Sequence, residues 1–134
     1  MVDRYVSPPL ELPAPEVDFK RADLVFYGVD HSGSSFEATI SLGDEPAGSF
    51  FIFGHGGCFG DVGHCYIPER TDRFDLRPPH PLLPAVRVVT VTDAIKRLVA
   101  AGEREVPVTV VARTPGDRSN KVLEFETVRI LTYA

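Results

Sequence analysis

Apolar side chains along this chain recur mostly at every second position, and that spacing predicts β-strands rather than helices. Phe36-Glu37-Ala38-Thr39-Ile40-Ser41-Leu42 is the clearest case, alternating apolar and polar as a strand with one wet face does. The β pattern begins at Phe19, and Leu24 to Val29 is rich in aromatic and β-branched residues. His31-Ser32-Gly33-Ser34-Ser35 then supplies a turn. Gly43-Asp44-Glu45-Pro46 predicts a second turn, and Gly48-Ser49-Phe50-Phe51-Ile52-Phe53 a further strand, apolar on both faces near its end. Alternation sends Phe51 and Phe53 to one face and Phe50 to the other, and core packing is the expected job of most of these rings.

The last third follows the same logic. Val86 to Val91 predicts a strand. A short helix follows, capped by Thr92 or Asp93, with Ile95, Leu98 and Val99 on one face and Gly102 as its stop. Val106 to Arg113 is a strand in which Pro107 indicates an edge or an opening position. Thr114 to Asn120 reads as a hairpin loop, after which Val122 to Leu131 alternates and is expected to pair back antiparallel.

Two stretches break the pattern. Residues 7–16 hold Pro8, Pro9, Pro13 and Pro15, so an extended arm is expected there, lying in solvent, on a partner or on the domain. Residues 66–84 alternate charges from Arg70 to Arg77 and then carry Pro78, Pro79, Pro81 and Pro84, which forbid regular pairing. The expectation is an all-β, mainly antiparallel fold: a β-sandwich of about six to eight strands with one short helix. Residues 1–18 form the arm and 19–134 the domain.

Composition narrows the picture little. A chain of 134 residues with 43% hydrophobic and 25% charged residues suits one soluble globular domain with its own core. Its net charge of −5 argues against nucleic acid or an anionic membrane as the main partner. No apolar run approaches membrane-spanning length. No apolar stretch follows Met1-Val2-Asp3-Arg4-Tyr5 as in a signal peptide, so a cytoplasmic location is expected, with export alongside a partner left open. Two cysteines leave the redox compartment undecided.

Candidate chemistry gathers in Gly54-His55-Gly56-Gly57-Cys58-Phe59-Gly60-Asp61-Val62-Gly63-His64-Cys65, which holds both cysteines and two of the four histidines. Two readings stay open. Cys58 and Cys65 can close a short disulfide loop, with an entropic stabilisation on the order of 2–3 kcal/mol. Alternatively His55, Cys58, His64 and Cys65 form a soft ligand set suited to zinc or copper, provided Gly63 bends the chain so that adjacent His64 and Cys65 both point inward. A thiolate nucleophile paired with His55 or His64 has the right residue types but no orienting carboxylate except Asp61 and no strand-to-helix elbow. The glycines make no phosphate loop, because no Lys-Ser/Thr and no helix follows.

Elsewhere solvation is the simpler reading. His31 lies in a turn and His80 between prolines, while the pairs Asp72/Asp75 and Glu124/Glu126 read as wetted surface.

The order of elements resembles the C-terminal domain that follows the copper domain in tyrosinases and plant-type polyphenol oxidases. The likeness spans roughly residues 24–134. It rests on Phe36-Glu37-Ala38-Thr39-Ile40 followed by Ala47-Gly48-Ser49-Phe50, on Val89-Thr90-Val91-Thr92-Asp93-Ala94-Ile95, on Val108 to Arg113, and on a closing strand through Val128-Arg129-Ile130. The resemblance implies a β-sandwich that packs over a dicopper domain, covers its entrance, and supports its folding, copper loading or latency. It does not imply an oxidase, because a type 3 copper centre needs six histidines on helices, and His31, His55, His64 and His80 fall in turns and loops. Phe59 or Tyr66 would then be the candidate plug in the oxidase's substrate position. The expected function is a non-catalytic companion domain that meets a tyrosinase-like copper oxidase by protein–protein contact. The alternative is an independent β-sandwich binding module held by a disulfide or a structural zinc at residues 55–65.

Overall fold

A computed structural model of the chain describes residues 2–54, 83–115 and 122–134. Among these residues nine strands and one helix follow in the order β1 (Val2–Val6), β2 (Leu10–Glu11), β3 (Arg21–Val29), β4 (Phe36–Leu42), β5 (Glu45–Ile52), β6 (Ala85–Thr90), α1 (Thr92–Ala100), β7 (Glu105–Val106), β8 (Val108–Arg113) and β9 (Thr127–Tyr133). All pairings are antiparallel. A four-stranded sheet runs β1-β8-β4-β5, a three-stranded sheet runs β6-β3-β9, and β2 and β7 form a small ribbon. The domain is all-β and sandwich-like.

The two larger sheets face each other through the residues that alternation selects. Phe36, Ala38, Ile40 and Leu42 of β4 are buried, as are Val108, Val110 and Ala112 of β8. They meet Ala22, Leu24 and Phe26 of β3 in one core. Phe26 and Phe50 pack across the layers with ring centroids 5.1 Å apart, and Phe36 meets Phe50 at 6.4 Å. Full burial of a ring of this kind contributes about 1.5–3 kcal/mol. β3 departs from the pattern, because Asp23 and Val25 on its outer face are buried too. The Asp23 carboxylate accepts a 3.0 Å bond from Arg21 Nε, and that contact pushes the Arg21 pKa up.

Several expectations change. The N-terminal stretch is laid on the domain: β1 pairs with β8 from Val2↔Arg113 to Val6↔Thr109, and β2 pairs with β7. Ser7 and Leu12 are buried, and the Ser7 hydroxyl accepts a 2.8 Å bond from Val108 N. The prolines lie between and after these short strands, where no ladder donor is needed. Pro107 stands just ahead of β8, which is a central strand rather than an edge.

The terminal hairpin does not form. β9 begins only at Thr127 and pairs with β3, from Arg21↔Tyr133 to Tyr27↔Thr127. Residues 122–126 instead cross from one sheet to the other. Leu123 N donates to Asp3 Oδ2 at 2.8 Å, and the Phe125 ring wedges between Tyr5 and Phe26, 4.8 and 5.3 Å away. Burying Val122, Leu123 and Phe125 at this seam outweighs a local hairpin. Glu124 and Glu126 are exposed but belong to this crossing, not to a strand face.

The helix cap also differs. Val91 occupies the N-cap without a side-chain bond, while Thr92 Oγ1 accepts from the buried Ala22 N at 3.1 Å. Ala94 and Ile95 are buried, Leu98 and Val99 pack on the core's margin, and Gly102 ends the helix in a left-handed turn.

Candidate functional site

The described chain reaches Gly54, two residues past β5, where the Gly/His/Cys stretch begins in the sequence, and resumes at Leu83, just before β6. Both points are tied to one turn, residues 30–35. Its shape comes from Asp30, whose carboxylate accepts from Ser32 N and Ser32 Oγ, each at 3.1 Å, a local closure typical of aspartate. Asp30 N in turn donates to Glu124 O at 2.8 Å, anchoring the turn to the crossing segment.

Gly54 N donates to Ser35 Oγ at 2.9 Å. A Cβ at position 54 would lie 2.1 Å from Gly33 O and 2.4 Å from Ser34 C, so two backbones touch where only glycine fits. On the returning side, His31 Nε2 forms a short hydrogen bond with Leu83 O. His31 is therefore half-buried and engaged, and its role is to hold the point where the chain comes back.

This rim is rich in exposed apolar surface. Phe51 is 48% exposed, Phe53 75% and Leu83 67%. Phe51 of β5 and Phe53 just past its end meet edge-on at 5.1 Å and are exposed, while Phe50 and Ile52 are buried. The expectation of core packing fails for these two rings because nothing among the described residues covers the side they occupy. Arg87 reaches the same strand with a long 3.5 Å contact from Nε to Phe51 O, and bonds Val86 O at 3.0 Å.

The residues expected to carry metal or disulfide chemistry, His55, Cys58, His64 and Cys65, lie outside the described residues. So do the proposed plug residues Phe59 and Tyr66, and His80, Asp72 and Asp75. Among the described residues no group of three or more His, Cys, Asp or Glu is arranged to hold a metal ion, and no helix is long and apolar enough to cross a membrane. Away from this rim, a groove of about 760 Å³ is lined by Pro9, Glu11, Pro15, Glu16, Arg104 and Glu105. Glu11 stands directly opposite Glu105 in the β2–β7 ladder, an arrangement tolerated only where water screens both carboxylates.

Sequence reasoning passed over the turn at 30–35 as ordinary surface. The signal available was its composition: aspartate, serine and glycine at positions that bond their own backbone. The contact with Gly54 and Leu83 left no mark in the sequence.

Fold and rim together define an all-β, sandwich-like domain that holds the chain at Gly54 and at Leu83, on either side of residues 55–82, at one edge of the sandwich. No protein-family model matches the chain, and no curated protein or solved structure matches it either.

Proposed function

We propose that the chain is a non-catalytic companion domain that binds a tyrosinase-like copper oxidase by protein–protein contact and acts in its copper loading or latency. The observation that carries this reading is the rim. Phe51, Phe53 and Leu83 expose apolar surface beside Gly54 and Leu83, the two points between which residues 55–82 run. Exposed aromatic residues grouped at one end of a rigid scaffold are the usual composition of an interface. On this reading the soft ligands His55, Cys58, His64 and Cys65 reach the oxidase from the same end. Phe59 and Tyr66 are the side chains offered to its substrate position.

The test uses the full chain and a type 3 copper oxidase that lacks a domain of this kind. Copper content and phenol-oxidising activity of the oxidase are measured with and without the chain, and with the Phe53→Ser variant. The expected result is a change in copper content or latency with the wild-type chain, weakened in the variant. If the wild-type chain leaves both quantities unchanged, the reading fails.

A second reading, an independent β-sandwich binding module, is favoured by one observation. Residues 2–12 complete the sheets and help bury the core, giving the described part a self-sufficient framework. One equivalent of zinc in the purified protein, or a Cys58–Cys65 disulfide by thiol titration, together with no effect on the oxidase, selects this second reading.

A further inference from the structure

Of the four edges of the two larger sheets among the described residues, three are blunted. β1 gives way to Ser7-Pro8-Pro9, and its Asp3 is engaged by Leu123 N. β5 carries Pro46 and an irregular register beside Ile40 and Ser41. It also lies against β6, so closely that a Cβ on Gly48 would sit 2.8 Å from Val89 Cγ1. β6 itself has a register break opposite Phe26 to Val29. Prolines, bulges and covered edges are the usual devices against strand-to-strand association.

Among the described residues β9 carries none of these. Thr-Val-Arg-Ile-Leu-Thr-Tyr has no proline and no glycine, strong β-formers at five of its seven positions, and a single charge. It pairs with β3 in unbroken register along its whole length. Val91 N bonds Ala22 O, so the even-numbered residues of β3 direct their backbone groups to β6 and the odd-numbered ones to β9. The partners of those odd residues are Thr127, Arg129, Leu131 and Tyr133. By alternation Val128, Ile130 and Thr132 turn their N–H and C=O groups to the open side.

We propose that this open edge pairs with the same edge of a second copy of the chain, giving a two-fold dimer with one continuous six-stranded sheet. The strand is complementary to itself. Antiparallel pairing centred on Ile130 uses all of β9, setting Val128 against Thr132 and Thr127 against Tyr133 of the second copy. Arg129 then faces Leu131 of the second copy, so no like charges meet. Shifting the centre to Arg129 would oppose the two guanidinium groups, which disfavours that register. The outer face of the joined sheet is continuous as well: Arg129 lies over the Tyr27 ring at 6.0 Å and Arg21 over Tyr133 at 5.7 Å, flat against the strands rather than out across the edge. A closed two-fold arrangement consumes both open edges, whereas pairing with a different strand would leave one in each molecule. This inference is independent of the copper-oxidase reading.

Sedimentation velocity over a range from micromolar to millimolar chain tests it. The wild type is expected to pass from monomer to dimer with no larger species. Thr132→Pro removes a donor on the open side without touching the β3 ladder, and is expected to abolish the dimer. Leu131→Arg places like charges opposite each other twice and should weaken dimerisation roughly tenfold. Adding Arg129→Glu to Leu131→Arg restores opposite charges in this register alone and is expected to recover the dimer. Should the variants misfold, amide exchange of the wild type decides: Val128, Ile130 and Thr132 should gain protection with concentration. A monomer at millimolar concentration, open-ended polymers, or a dimer indifferent to both Thr132→Pro and Leu131→Arg overturns the proposal.

Discussion

The two ends of the sandwich are closed by different means. At the helix end, β6 runs into α1, which lays Ala94 and Ile95 into the core while Thr92 satisfies the buried Ala22 N–H. Arg97 and Glu45 add an ion pair at the surface, worth little in water. At the rim end no element covers the layers among the described residues. Polar and backbone contacts from the turn at 30–35 hold Gly54 and Leu83, and aromatic side chains stay outside. One end therefore spends its apolar residues on stability. The other keeps its apolar residues available and is held by geometry, the division expected when a scaffold presents a binding edge.

Mutations that treat the two ends alike should separate them. The largest loss is expected from Ile95→Ala at the helix end, about 2–4 kcal/mol by urea unfolding, because a fully buried side chain leaves a cavity. An equal tolerance of this change and of exposed-surface changes would erase the distinction. Gly54→Ala at the rim should cost less, about 1–3 kcal/mol, through displacement of the turn at 30–35 rather than loss of core. Its signature is faster amide exchange around residues 30–35 with the β3 and β8 amides unchanged. Smallest is Phe53→Ser, expected within about 0.5 kcal/mol of wild type because the ring is mostly in solvent. A clear loss of stability there would mean that the ring is structural, and would remove the rim's claim to be an interface.

The contrast also locates what was legible. β4 runs from Phe36 to Leu42 as its alternation indicates, since a strand with one buried and one wet face writes its period into the sequence. β3 is legible but its two-sided burial is not, because Asp23 is by type a solvent-facing residue and nothing local marks it as covered. The helix was legible from its spacing, while its capping residue was not: Thr92 turns to Ala22, seventy positions away, and no local rule sees that partner.

For the candidate site the sequence supplied the residues and the structure supplied the frame. His55, Cys58, His64 and Cys65 stand out by type and spacing alone. The rim that anchors their segment depends on Ser35, His31 and Asp30 meeting Gly54, Leu83 and Glu124. Phe51 and Phe53 were assigned to the right face but to the wrong surroundings, because alternation gives a direction and not what lies in that direction.

Local chemistry thus determined the all-β class, the position of most strands, the helix after β6 and the concentration of soft ligands in one stretch, since each is a property of near neighbours in the chain. Tertiary structure decided the partners: that residues 2–6 join β8, that β9 leaves its sequence neighbour for β3, and that the turn at 30–35 holds both Gly54 and Leu83. Those choices follow from burying Leu123 and Phe125 at the seam and from satisfying backbone groups between distant segments. Such energies exist only once the sheets have met.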